Sequence, residues 1–371
     1  MALPGCGPMT GQTLEWLWLA HVLGPGARGC GGVLALYPTP GELLEAVGRE
    51  DLSGLLAPAQ AERLEAKPEN FEKLARSCEK MGVQIVTMAE AAYPARLRGV
   101  PDAPPVLFCT GDTAALNRTP AVGMIGSRRP SAYGVEAAAC IGGQLAEAGV
   151  CLVSGLADGL DSEAHRAAVR CGAPTVGVLG TAIDKTYPAA NTALRRQVEG
   201  VGAVISEFAP GDVTRSAAFL LRNRLIAALA DAVCVVEARE KSGTMNTVGH
   251  AERYGRPVYA VPGGIFSELC GGTNRLLAEG RARAASGAGV ILEGLGLAAP
   301  APAHTQKRQT QTEPLGPAAK EMLRHLGQQP KGLEILAGEA RCEAGEALAA
   351  LLELELAGLA QSCAGGQYRR K

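Results

Sequence analysis

The chain has 371 residues, 47% hydrophobic and 20% charged, with a formal net charge of −1 at pH 7. That length exceeds what one core usually accommodates and implies two or three domains. The apolar content suffices for a packed globular protein, and the near-zero charge excludes a global positive field, so any nucleic-acid binding must come from locally placed cations.

Residues 1 to about 82 read as helical, because TLEWLWLAHVL, GELLEAVG and ENFEKLARSCEKMG carry apolar residues at helical spacing. Between the first two lies GPGARGCG, in which Gly24, Gly26 and Gly29 fit GxGxxG. A helix precedes this turn rather than a strand, so it is no dinucleotide fingerprint. A helix–hairpin–helix turn is expected there, of a kind that holds a DNA backbone in some proteins and only packs in others. VQIVTM and PVLFCTG follow as short strands.

From 121 to 293 strand and helix alternate. The strands are VGMIG, VCLVSG, TVGVLG, GAVISEF, AVCVVEA and PVYAVPG. Such near-continuous apolar strands are buried on both faces, which predicts an α/β doubly wound parallel sheet. Residues 298–317 are rich in Pro, Thr and Gln without apolar periodicity and read as a flexible linker. AAKEMLRHLG, GLEILAGEA and AGEALAALLELELAG then predict three helices, and AQSCAGGQYRRK a hairpin, the pattern of a winged helix.

The eleven cysteines, an odd number without a CxxC pair, sit mostly in apolar runs and read as small buried hydrophobes of a reducing compartment. No window approaches the roughly 18 apolar residues of a membrane span. The expectation is a soluble cytoplasmic protein without membrane association.

In a parallel sheet, ligands bind outside the carboxyl ends of the strands. The first strand is followed by Gly126-Ser127-Arg128-Arg129, the second by Ser154-Gly155 with Asp158 and Asp161, and the third by Gly180, Thr181, Asp184 and Lys185. Ser206 and Glu207 follow the fourth; Glu237, Lys241, Ser242, Gly243 and Thr244 the fifth; Pro262-Gly263-Gly264 the sixth. Glycines admit backbone N–H groups to a phosphate, helix N-termini favour anions, and Arg and Lys supply countercharge. Structural readings stand beside these. Gly126-Ser127 and Ser154-Gly155 also suit tight turns and caps, and Asp161 with His165 reads as cap and core, since a metal pair needs a third ligand. In SAAFLLRNRLIAALADAV, Arg222 and Arg224 flank Asn223 within an apolar helix. Buried charges need partners; the pair reads as a phosphate clamp, or as salt bridges to Glu207 or Glu237. The first turn is not GxGxxG, and GxSxG and GxxxxGK[ST] are missing, so the chain shows no dinucleotide fingerprint, nucleophile elbow or P-loop.

Taken together, these turns resemble the DprA/Smf family, the DNA-processing proteins of natural transformation. The resemblance rests on GSRRPSAYG, SGLADGLDSEAHRAAV, GVLGTAIDKTYPAAN, GAVISEF, FLLRNRLIAALADAVCVVEAREKSGTMNT, GRPVYAVPG and GGTNRLLAEG, in that order, and spans nearly the whole chain. It implies an extended Rossmann-like core at 83–297, a SAM-like helical domain at 1–82 and, after the linker, a winged-helix domain at 318–371. It further implies a homodimeric, non-enzymatic protein that binds single-stranded DNA, protects incoming strands and loads a RecA-type recombinase. By motif, the arginine of GSR is Arg128, RNR is Arg222, Asn223 and Arg224, and the lysine of KSG is Lys241, beside Ser242 and Gly243. With Gly126, Ser127, Ser154, Gly155 and Lys185 these form the expected nucleic-acid-binding set. The resemblance implies no cofactor, and no catalytic or metal-binding residue is expected. Phe219 suits either a base-stacking role or the core.

The chain departs from the family pattern in places. Asp158 stands where the family has an arginine, Arg281 and Arg283 are added after the last core motif, and Asn246 and His250 replace more apolar residues. Residues 121–297 carry 17 basic and 16 acidic side chains, so binding must come from local placement. The alternative is a nucleotide-binding or nucleoside-monophosphate-hydrolysing enzyme on the same fold, using Pro262-Gly263-Gly264 and Glu268.

Overall fold

The computed structural model describes residues 11–298, 315–363 and 365–371. They fall into two compact units, divided after residue 300. Most of the expected linker at 298–317 lies outside the described residues.

The first unit opens with α1 (Gly11–Leu23), α2 (Cys30–Leu36), α3 (Pro40–Ala46), α4 (Pro58–Ala61) and α5 (Glu72–Lys80). Then come β1 (Gln84–Thr87), α6 (Ala95–Arg98) and β2 (Val106–Gly111). The alternating core follows: β3 (Ala121–Ile125), α7 (Ala132–Glu147), β4 (Cys151–Ser154), α8 (Leu160–Arg170), β5 (Thr175–Val178), α9 (Thr192–Val201), β6 (Ala203–Ser206), α10 (Ser216–Leu229), β7 (Ala232–Val235), α11 (Gly243–Arg253) and β8 (Val258–Ala260). It closes with α12 (Gly271–Ala278), β9 (Arg283–Ala284) and α13 (Ala288–Gly294).

Nine strands form one sheet in the order β1-β2-β6-β5-β4-β3-β7-β8-β9. The expected parallel sheet runs from β6 to β9, but β2 pairs antiparallel with both β6 and β1. The sheet is therefore mixed, with an antiparallel edge on a parallel core, a common arrangement in large doubly wound sheets.

Side-chain alternation assigns the layers. In β3, Val122 and Met124 face a core shared with Ile141 and Leu145 of α7 and Ile291 of α13. Ala121 and Ile125 face the opposite core, with Leu225 and Ile226 of α10 and Val248 of α11. The same period in β2 sends Leu107 and Cys109 to that second core and Val106 and Phe108 to a third. This third core also holds Trp18, Leu19 and Val22 of α1 and Val204 of β6. The N-terminal helices are thus packed on the sheet and share its apolar interior.

The second unit is a winged helix with its own core. It comprises α14 (Pro317–His325), β10 (Lys331–Gly332), α15 (Leu333–Ala340), α16 (Ala344–Leu356), β11 (Ala360–Cys363) and β12 (Gln367–Arg370). Its strands run β10-β12-β11, all antiparallel. Met322, Leu336, Leu351 and Leu354 fill the interior. All described cysteines are free thiols.

His165, on α8, is fully buried, and its Nδ1 lies 2.8 Å from Thr175 Oγ1. That hydroxyl donates its own proton to Leu152 O at 2.6 Å, so Nδ1–H is the donor to Thr175. Burial holds the imidazole pKa down at about 3. The unfolded chain therefore takes up the proton first, and the stability held by the neutral ring is complete above about 6.5 and lost as pH falls below it. We expect the difference in unfolding free energy between wild type and His165→Gln to be constant above pH 7. It should shrink by about 1.4 kcal/mol per pH unit below 6.5, read from urea midpoints; a pH-independent difference would overturn the assignment.

Candidate functional site

The chain runs outward from β3 through β4, β5 and β6 on one side and returns through β7 and β8 on the other. The strand order reverses at β3/β7, where open α/β sheets form their ligand crevice. A cavity of about 560 Å³ lies there, lined by the turns after β3 and β7 and by α10.

Gly126 ends β3 under close contact: a Cβ at this position would meet Leu160 Cδ1 at 2.4 Å and Glu237 O at 3.0 Å. Leu160 N donates to Ser127 O at 3.1 Å, pinning the turn to the start of α8. Arg129 N donates to Ser127 Oγ at 3.1 Å. The turn is thereby fixed, and Arg128 projects exposed from it. Its guanidinium carbon sits 5.5 Å from the centre of the Phe219 ring. Phe219 in turn packs against Tyr187, ring centres 5.3 Å apart. A cation and two aromatics therefore form one wall.

The start of α11 also lines the cavity. Ser242, Gly243 and Thr244 line the cavity. Ser242 Oγ is buried and has no hydrogen-bond partner among the described residues. Thr244 Oγ1 donates to Gly126 O at 3.3 Å, tying this helix start to the β3 turn. First-turn N–H groups lack partners within the helix, so this wall offers donors to an anion. Lys241, exposed and unpaired among the described residues, stands beside it but outside the lining.

Arg222 forms the floor. It is 3% exposed, and its Nη1 donates to Gly155 O at 2.6 Å and to Val178 O. Nε donates to Asn223 Oδ1 at 3.2 Å. Burial lowers its pKa to about 10, against the opposing charge of Asp161, so it stays cationic at neutral pH. Burial raises the Asp161 carboxyl, and the Arg222 charge restrains that rise. Gly155 is required here because a Cβ would meet Arg222 Nη1 at 2.4 Å and Asp161 Oδ2 at 2.5 Å. Asn223 also lines the cavity, and its Nδ2 donates to Gly243 O at 3.2 Å, linking α10 to α11.

Gly126, Ser127, Arg128, Arg222, Asn223, Ser242 and Gly243 thus converge on one cavity, while other residues of the expected set do not. Ser154 is buried and donates from Oγ to Met124 O at 2.6 Å, a strand-to-strand tie behind the cavity. Gly155 is the carbonyl partner of Arg222. Lys185 is turned away, its Nζ donating to Asp212 O at 2.9 Å. Arg224 departs most. It is 2% exposed, and its Nη2 donates to Glu207 Oε1 at 2.6 Å, while Gly26 N donates to the same oxygen at 3.1 Å. The salt bridge to Glu207 is therefore correct for Arg224. Glu237 is engaged elsewhere, accepting from Ser131 N at 2.9 Å at the start of α7. Asp158 is exposed and adjoins Ala157 at the rim. Tyr187 and Arg239 line the cavity but were not among the expected residues. Tyr187 sits two residues from Lys185 in the same turn and lines the cavity where Lys185 does not. Among the described residues no cluster of three or more His, Cys, Asp or Glu could hold a metal ion, and no helix is long and apolar enough to cross a membrane.

Comparison with known proteins places this architecture. The family model for DNA recombination-mediator protein A matches residues 84–296, and that for the DprA winged helix domain matches residues 306–366. A putative DNA processing protein DprA of Mycobacterium tuberculosis is 32% identical over 371 residues, covering 95% of this chain and 93% of that protein. The X-ray structure of DNA processing protein A from Streptococcus pneumoniae superposes with a TM-score of 0.62 at 31% identity, covering 77% of this chain and 98% of that one. A structure of DNA processing protein A from Helicobacter pylori, described for its single-stranded DNA binding mode, gives a TM-score of 0.52 at 30% identity, covering 57% and 95%. With its core and its winged helix both matched, the chain belongs to the DprA/Smf family of DNA-processing proteins.

Proposed function

We propose that the switch-point cavity binds single-stranded DNA, and that the protein, as a homodimer and without chemical turnover, protects incoming strands and hands them to a RecA-type recombinase. The observation that carries the reading is the meeting of two kinds of lining in one cavity. Arg128 lies over Phe219, which packs against Tyr187, and the α11 N-terminus with its unpartnered Ser242 hydroxyl lines the same cavity. A strand needs both at once: a cation and backbone donors for phosphate, and aromatic faces for bases. Tyr187 is 57% exposed, so its ring is open to a base. The Helicobacter pylori relative, described as binding single-stranded DNA, supports the same reading. The hydrolase alternative draws less support. The Gly263 N–H is taken by Asn274 Oδ1 at 3.1 Å, and Glu268 is spent on Arg239 at 2.9 Å.

Two variants separate the walls in a salt titration of fluorescent oligonucleotides. Arg128→Ala should weaken single-strand binding and make the slope of log K against log salt shallower by about 0.7, the share of one neutralised phosphate. Phe219→Ala should leave the slope unchanged and cost about 1–3 kcal/mol of binding, the worth of one stacked base. Equal affinity for single and double strands, untouched by Arg128→Ala, would sink the reading.

A further inference from the structure

A second cavity, of about 660 Å³, lies on the other side of α10. One wall is the glycine turn between α1 and α2, with Gly26, Arg28 and Gly29; the other carries Arg224 of α10 and Asn246, His250 and Arg253 of α11. We infer that it is a second phosphate-binding subsite, filled by a backbone phosphate of the strand held in the switch-point cavity.

The argument starts from Arg224. It is 2% exposed, yet only Nη2 is paired; Nε and Nη1 are buried without a hydrogen-bond partner among the described residues. A buried guanidinium with two idle nitrogens is costly unless an anion completes it. Glu207 meets it through Oε1 alone, an oxygen that also accepts from Gly26 N, while Glu207 Oε2 is itself buried without a hydrogen-bond partner among the described residues. Arg28 is exposed on the facing turn, and Arg253, 49% exposed, is partly committed to Asp102 at 2.6 Å. The other Asp102 oxygen accepts from Tyr254 at 2.6 Å, so the carboxylate of this wall is already engaged. Three guanidiniums around one cavity with an occupied carboxylate suit phosphate.

The two cavities share a wall. Leu220, half exposed, lines both. Asn223 of the first donates from Nδ2 to Asn246 Oδ1 of the second at 3.4 Å. One strand can therefore pass over Leu220 from Arg128 to Arg28. This route gives a role to Asn246 and His250, the polar departures on α11, and to the glycine turn.

The strand as source rests on the proposed function, so the test has two arms on the full chain. In the first, the salt slope is measured on a tetranucleotide and a 20-mer of thymidine. Arg28→Glu should make the 20-mer slope shallower by about 0.7 and leave the tetranucleotide unchanged, while Arg128→Ala affects both. In the second, inorganic phosphate is added to the Arg128→Ala protein during thermal unfolding. It should raise the midpoint, and the added Arg28→Glu change should abolish the rise. If the wild type binds no oligonucleotide, the proposed function fails, and the phosphate arm alone decides the subsite. If Arg28→Glu alters neither the 20-mer slope nor the phosphate effect, Arg224 and Glu207 are a structural ion pair only and the subsite is refuted.

Discussion

The carboxyl edge of the sheet depends on one buried cation. Strands β4 and β5 end there with outward carbonyls, and α8 begins there with a buried Asp161. Left alone, these groups would place negative charge and unpaired acceptors against one another. Arg222 resolves this with a single planar group that reaches Gly155 O, Val178 O and Asn223 Oδ1 from one position. Its removal would leave Asp161 buried without the larger of the two positive charges that act on it, and a buried charge stripped of its compensation is costly. The cation thus locks α10 against the strand ends. Phe219, three residues earlier on the same helix face, is held beneath Arg128 as a result.

That helix also explains why its two arginines part company. Residues two apart on a helix do not face each other, so Arg222 and Arg224 cannot serve one site. Phe219 and Arg222 share the face toward the sheet edge; Leu220 and Arg224, four apart, share the next face, toward the N-terminal helices. The spacing RNR contained this distinction. The two guanidiniums accordingly line different cavities.

Other parts of the molecule were legible to different degrees. The parallel core followed from apolar runs ended by glycine turns, and the cavity from where those turns must gather. The antiparallel edge was not legible, because a short apolar strand such as PVLFCTG states no direction. In the fold this strand is buried on both faces, and the N-terminal helices cover Val106 and Phe108. Tyr187 escaped notice because an aromatic in a polar turn carries no charge to mark it. Ser154 and Lys185 drew attention by residue type, yet their hydrogen bonds go to Met124 O and Asp212 O. Residue chemistry marked the strand-end turns that gather at the candidate cavity, and only side-chain direction separated the residues that line it from those behind it.

The contrast between the two ends of the chain bears on how the architecture can change over generations. The winged helix closes its own apolar interior around Met322, Leu336 and Leu354. Such a unit can be gained, lost or exchanged at the gene level with its own core intact. The N-terminal helices have no such freedom, because Trp18, Leu19 and Val22 fill the same interior as Val106, Phe108 and Val204 of the sheet. Their inheritance is tied to the sheet residue by residue, so drift in α1 must be answered by drift in β2 and β6.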